Sequence, residues 1–169
     1  MSRLRIAVGL ALAIFAVGGL AASAVAGEYV PFRGRLEGTV TTTPIVGDPN
    51  LDVHVEIVGA GNATHLGLFR FTAPHDVDRR PPPNPSLAVG QYLFKAANGD
   101  ELYATFTGQS VLFAPGVLFI KESATITGGT GRFSGATGRF ECERLFDIAS
   151  GTTIGVFEGT ISSTGANKR

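Results

Sequence analysis

The chain has one cysteine, three histidines and little charge: of its 169 residues only 17% are charged, 14 basic against 14 acidic. A single Cys cannot close an internal disulfide or anchor a cysteine-type zinc site. His54, His65 and His75 are 11 and 10 residues apart, so none forms a short-spaced metal pair. His54 and His65 could meet only if their strands folded into a hairpin about Gly59–Asn62; no metal is expected. An even charge balance gives no electrostatic footprint for phosphate backbones, which excludes nucleic acid as an expected partner. Yet 44% of the residues are hydrophobic, too many for a disordered chain. No sustained helical period occurs after Gly27.

The N-terminus has the layout of a secretory signal peptide. Arg3 and Arg5 form a positive head, Ile6 to Leu20 is apolar and uncharged, and Ala24-Val25-Ala26 supplies the small-residue end. Cleavage after Ala26 is expected, with Ala24 the next candidate; an uncleaved anchor is the alternative, since the apolar run nears the roughly 20 residues a spanning helix needs. Removing residues 1–26 leaves 143, with 12 basic and 14 acidic side chains. Residues 27–169 are expected to form one exported domain, periplasmic or extracellular, without stable membrane insertion. A chain of this size buries roughly two thirds of its unfolded surface without a disulfide staple, so Cys142 reads as a small buried hydrophobe.

What is abundant is two-residue alternation, the period of strands. Phe32, Leu36 and Val40 alternate with Arg33, Arg35 and Glu37. Val53, Val55 and Ile57 alternate with His54 and Glu56. Asn98-Gly99-Asp100 is a turn signal that pairs Gly90–Ala96 with Glu101–Thr107, and Leu102, Ala104 and Phe106 share one face while Tyr103, Thr105 and Thr107 share the other. Glu122, Ala124 and Ile126 are in phase, as are Phe140, Cys142, Arg144 and Phe146. About eight strands result. Many of the 23 glycines lie inside them, among them Gly34, Gly38, Gly67, Gly155 and Gly159. Interior strand glycines mark bends and close approaches of the kind a closed barrel needs. The expected fold is all-β: a single antiparallel eight-stranded barrel whose interior fits side chains or one small ligand. The segment from Ala73 to Ser86, with Arg79-Arg80-Pro81-Pro82-Pro83, is expected to be free of strand, as a solvated connection or a rim over a barrel mouth.

The segment Gly128-Gly129-Thr130-Gly131-Arg132-Phe133-Ser134-Gly135 has no phosphate-loop spacing and no nucleophile elbow. It reads as a tight connection plugged by Phe133. Asn62-Ala63-Thr64 matches a glycosylation sequon and is read as coincidence.

The run Gly128–Phe133 followed by Ala136-Thr137-Gly138 resembles the G-G-T-G-x-F…A-x-G signature of the allene oxide cyclase and plant dirigent barrels. From Phe32 to Ser163 the chain resembles small exported bacterial proteins with an allene-oxide-cyclase-like barrel domain, on the phrases Gly61–Gly67, Ala97–Asp100 and Phe157–Ser163. The resemblance implies a calycin-like barrel that forms dimers or trimers and takes a hydrophobic molecule into its lumen. It also implies relatives that steer cyclisation of an unsaturated fatty-acid epoxide or coupling of phenoxy radicals. No pocket residue is carried across from them.

Glu122 and Arg144 share phase with apolar neighbours, so two opposite charges are expected to enter the lumen on sequence-adjacent strands. A buried ion is costly unless paired, so they are expected to pair with each other. They could orient a ligand's polar head, or give general acid–base help if the Glu122 pKa is raised. Tyr92 and Tyr103 are further candidates for a lumen ligand. No triad, cofactor motif or metal cluster points to an enzyme. The expected function is binding of a small apolar molecule in the lumen. The alternatives are a cofactor-independent isomerase or cyclase, and a structural barrel with a filled core.

Overall fold

A computed structural model describes residues 28–47, 52–79 and 84–162. The expected signal peptide, Arg80–Pro83 and the end of the last resembling phrase lie outside them.

Nine strands run β1 (Tyr29–Pro44), β2 (Val53–Ala63), β3 (Gly67–Thr72), β4 (His75–Asp78), β5 (Ser86–Ala96), β6 (Glu101–Ala114), β7 (Val117–Gly129), β8 (Gly138–Asp147) and β9 (Thr152–Ser162). β3 and β4 both lie between β2 and β5, so they form one broken strand position. All pairs are antiparallel, and β1 pairs with both β9 and β2. The result is a closed eight-stranded barrel, and closure pairs every strand on both sides along most of its length. The ring closes entirely within the described residues.

Inward alternation fills the barrel with aromatic rings. Phe32, Phe69, Phe71, Tyr92, Phe94, Phe106, Phe140 and Phe157 are buried, with ring centroids 4.8 Å (Tyr92–Phe106) to 6.3 Å (Phe69–Phe157) apart. Glycines on adjacent strands make the room. A Cβ on Gly34 would come within 2.7 Å of the Phe157 ring, one on Gly61 within 2.5 Å of Phe69, and one on Gly90 within 2.9 Å of Phe106. Each of these glycines is the register partner of the ring it accommodates.

Two local expectations are corrected. The β2–β3 turn is at Thr64–Leu66, and Gly59 and Gly61 lie inside β2. They face Phe71 and Phe69, so their role is space and not a turn. His54 and His65 therefore sit at opposite ends of β2, about 30 Å apart at 3.3 Å per residue. The proline-rich segment is also not free of strand: His75–Asp78 pairs with β2 and β5, because His75 and Val77 alternate with Asp76 and Asp78 before the prolines begin.

The two ends differ. At one end the Gly128–Thr137 connection holds a short 3₁₀ turn, Gly131–Phe133, that drives the fully buried Phe133 into the barrel. Buried Leu66 and Ala136 complete this plug, and Arg132 lies 4.9 Å over the Phe133 ring. The other end is reached by the β1–β2, β4–β5, β6–β7 and β8–β9 connections and is open among the described residues.

Candidate functional site

Below the open end the aromatic stack gives way to charge. Glu122 on β7 and Arg144 on β8 are 1% and 3% exposed. Arg144 donates from Nη2 to Glu122 Oε1 at 2.5 Å and from Nε to Oε2 at 3.1 Å, the two-pronged geometry that best offsets burial of both ions. Tyr92 on β5 donates its phenol proton to Glu122 Oε2. Arg144 Nη1 donates to Thr153 Oγ1 at 3.2 Å, and that hydroxyl donates to the Leu145 carbonyl at 2.9 Å. Glycine again supplies the space: Gly108, the register partner of Glu122, would put a Cβ 2.8 Å from its Cγ, and Gly155 faces the Arg144 stem in the same way.

The electrostatics fix each proton. Burial alone would raise the Glu122 pKa, but the Arg144 charge and the hydrogen bonds from Arg144 and Tyr92 outweigh it, and the net shift is downward. Glu122 is thus a carboxylate. The raised pKa that general acid–base use would need is absent, because the pairing that makes burial tolerable also holds the charge. For Arg144 burial favours proton loss, and the Glu122 carboxylate overrides it. Burial, then the Glu122 charge, raises Tyr92 well above its usual value and pushes the Cys142 thiol up to about 12. Both stay protonated.

His75 on β4 is the buried residue that sequence reasoning passed over. Nδ1 bonds the Ala73 carbonyl at 2.9 Å and the ring meets Phe106 edge-on at 5.4 Å. Burial lowers its pKa. The ring is therefore neutral at pH 7, with Nδ1 carrying the proton and Nε2 left as an acceptor. The available signal was the His75–Val77 alternation, hidden by the neighbouring prolines. Thr153 was also missed, although it is in phase with Phe157.

His75, Glu122 and Arg144 of this cluster border a cavity of about 110 Å³ at the open end. Its walls also include Val40, Val55, Val77, Ala88, Leu118 and Ile120. Of the four candidates, the fold brings Glu122, Arg144 and Tyr92 together. Tyr103 lies apart, part-buried on the outer face, where it donates to Glu101 at 2.7 Å; it alternates with the inward Leu102 and Ala104 and so points the other way. Larger depressions of about 890, 710 and 920 Å³ lie on the outer wall, lined mainly by outward residues such as Arg35, Glu37 and Val156. Among the described residues no cluster of three His, Cys, Asp or Glu could hold a metal ion.

The closed antiparallel eight-stranded barrel has a dirigent-like fold. Two solved pterocarpan synthase dirigent proteins share the fold. One matches with a TM-score of 0.51 and 14% identity over 84% of this chain and 89% of its own. The other matches with a TM-score of 0.51 and 12% identity over 82% of this chain and 97% of its own. No family model and no curated protein matches the sequence.

Proposed function

We propose that the protein binds a small, neutral, largely apolar molecule at the open end of its barrel. The observation that carries the reading is the cavity of about 110 Å³, whose walls set Val, Ile, Leu and Phe side chains among Thr42, Ser86, Gln109 and Ser110 and which closes on a buried pair with no net charge. An apolar void of about 150 Å³ accepts benzene, so this smaller one takes a short alkyl end or the edge of a ring while the rest of the ligand lies at the mouth. Glu122 and Arg144 neutralise each other, so the buried pair offers a charged ligand no counter-ion, and Arg79 is the other charged residue of the lining. A hydroxyl could donate to His75 Nε2. The protein acts outside the cytoplasm after cleavage near Ala26, and the outward Leu145, Ile154 and Val156 offer a wall for a homodimer or trimer.

A second reading is a cofactor-independent cyclase or isomerase. It is favoured by a neutral His75 beside a phenol–carboxylate–guanidinium cluster, and by fold neighbours that are themselves described as synthases. In it, the walls hold a reactive chain in a productive shape and His75 Nε2 accepts a proton.

The test is mass spectrometry of organic extracts of the purified protein, with thermal-shift titration by phenol, indole and hexanol. Co-extracted apolar molecules and a saturable rise in melting temperature are expected. Ala88→Phe, which fills the cavity from its wall, should abolish the rise without altering the circular dichroism spectrum. Empty extracts with no shift for any probe, or an Ala88→Phe protein that responds like the parent, would refute binding.

A further inference from the structure

The large hydrophobic side chains of the connecting loops are exposed unequally at the two ends, although Tyr29 and Leu68 on the strands near the plugged end are also exposed. At the plugged end the loop apolars Leu66, Phe133 and Ala136 are buried. At the open end three separate connections expose theirs: Val46 of β1–β2 (98%), Leu112 and Phe113 of the β6–β7 hairpin (61% and 68%), and Ile148 of β8–β9. The hairpin is the most prominent. β5 pairs with β6 only as far as Ser110, so Val111–Ala114 continues with β7 as its sole partner. From Val111 to Ile120 the hairpin has no charged residue. The hairpin strands run on into the cavity wall at Ser110 and Leu118, while Phe113 lies over the outer wall with Phe119 and Leu145.

We propose that this rim docks the barrel, mouth first, on a zwitterionic lipid surface. Three apolar loops at one end of a rigid cylinder can enter the interfacial layer together, burying side chains to the depth that peripheral amphipathic elements reach. Charge selects the kind of surface. The described residues of these connections, 45–47, 52, 79, 84–85, 114–117 and 148–151, carry Asp52 and Arg79 and no lysine, and Asp78 and Asp147 stand at the adjoining strand ends. An anionic membrane is recruited by clustered Lys and Arg, and this rim has no cationic surplus. The site faces apolar molecules dissolved in lipid, so the docked barrel would load without passing them through water. The proposal does not require that the cavity be filled, and the two fail separately.

The test is flotation with phosphatidylcholine vesicles, using the chain from Gly27 onward, whose ring of strands closes within itself. The protein should float with the vesicles. The variant carrying Leu112→Ser and Phe113→Ser should lose about tenfold or more in partitioning. The variant carrying Val58→Ser and Leu68→Ser, exposed on the outer wall away from the rim, should float like the parent, and circular dichroism should show all three folded. Adding phosphatidylglycerol should not strengthen binding. The inference is overturned if the parent stays in solution, if the rim variant floats unchanged, or if anionic lipid markedly increases binding. It is also overturned if the rim is covered by a second copy, seen as a lipid-free dimer that the rim substitutions dissociate.

Discussion

At the residue scale the buried ion pair sets the largest single costs. Removing one partner strands the other in a medium that solvates it poorly. Glu122→Gln should therefore cost about 3–5 kcal/mol, while the double variant Glu122→Leu with Arg144→Met should come within about 2 kcal/mol of the parent. Urea unfolding of the three proteins measures this, and a double variant as unstable as the single one would mean that the pair itself stabilises the fold. Acid acts on the same cluster. His75 has a pKa below the ordinary 6.5, so as pH falls the unfolded chain binds that proton first. Its contribution is complete above pH 6.5 and is lost as pH drops toward the folded value. Glu122 lies below 4.5, and its contribution is lost from about pH 4.5 downward. His54 has the opposite sign. Hydrogen bonds from its ring to Asp76 at 2.7 Å and Glu56 at 3.2 Å raise it, so it favours the fold in acid and fades as pH rises. Being exposed, it is the weakest of the three. Urea midpoints between pH 7 and 3 should thus fall in two stages, and His75→Gln should flatten only the upper one. A variant profile parallel to the parent's would show that His75 is not the group responsible.

At the scale of strands, the glycines make a stringent prediction. A Cβ on Gly59 would collide with the Glu37 carbonyl and come within 2.5 Å of Phe71 Cε1. One is backbone and the other a packed ring, and neither can yield cheaply. Gly59→Ala should therefore cost about 1–3 kcal/mol or more, the usual range for overpacking. Ala60→Ser, one residue away and facing out, should stay within about 0.5 kcal/mol. Thermal unfolding of the two decides whether the interior is as full as the rings imply. The same glycines mark what could be read from sequence. Their presence in strand patterns pointed to a closed barrel, and the alternation about Glu122 and Arg144 identified the buried pair. The turn between β2 and β3 was misplaced because Gly59 and Gly61 look like turn residues until Phe71 and Phe69 are seen opposite them. β4 was missed because four alternating residues beside a proline run are too short a pattern to separate from loop.

At the scale of the whole molecule, closure is a long-range property, and so is the difference between the ends. No local pattern indicated which mouth would be plugged. Phe133 was legible as a plug, but the cavity opposite depends on eight strand ends meeting. What seals the cylinder is β1 against β9, eleven register pairs from Tyr29–Ser162 to Thr39–Thr152, joining the two ends of the barrel chain. Tyr29 and Ser162 are cross-strand neighbours at the plugged end, so a linker of about four Gly and Ser residues can join them. New termini between Asn98 and Gly99 would fall in an exposed two-strand turn, where breaks are best tolerated. Such a permutant keeps every strand pairing, loses only loop continuity, and should unfold in one cooperative step with a native circular dichroism spectrum. A chain ending at Gly151 lacks β9. It leaves the apolar interior open between the unpaired edges of β1 and β8, so it should aggregate or remain unfolded. Size-exclusion chromatography with circular dichroism separates the two outcomes. If the shortened chain ran as a folded monomer, the ring would not depend on its last strand, and the cavity would have to be held by the sheet from β1 through β8 alone.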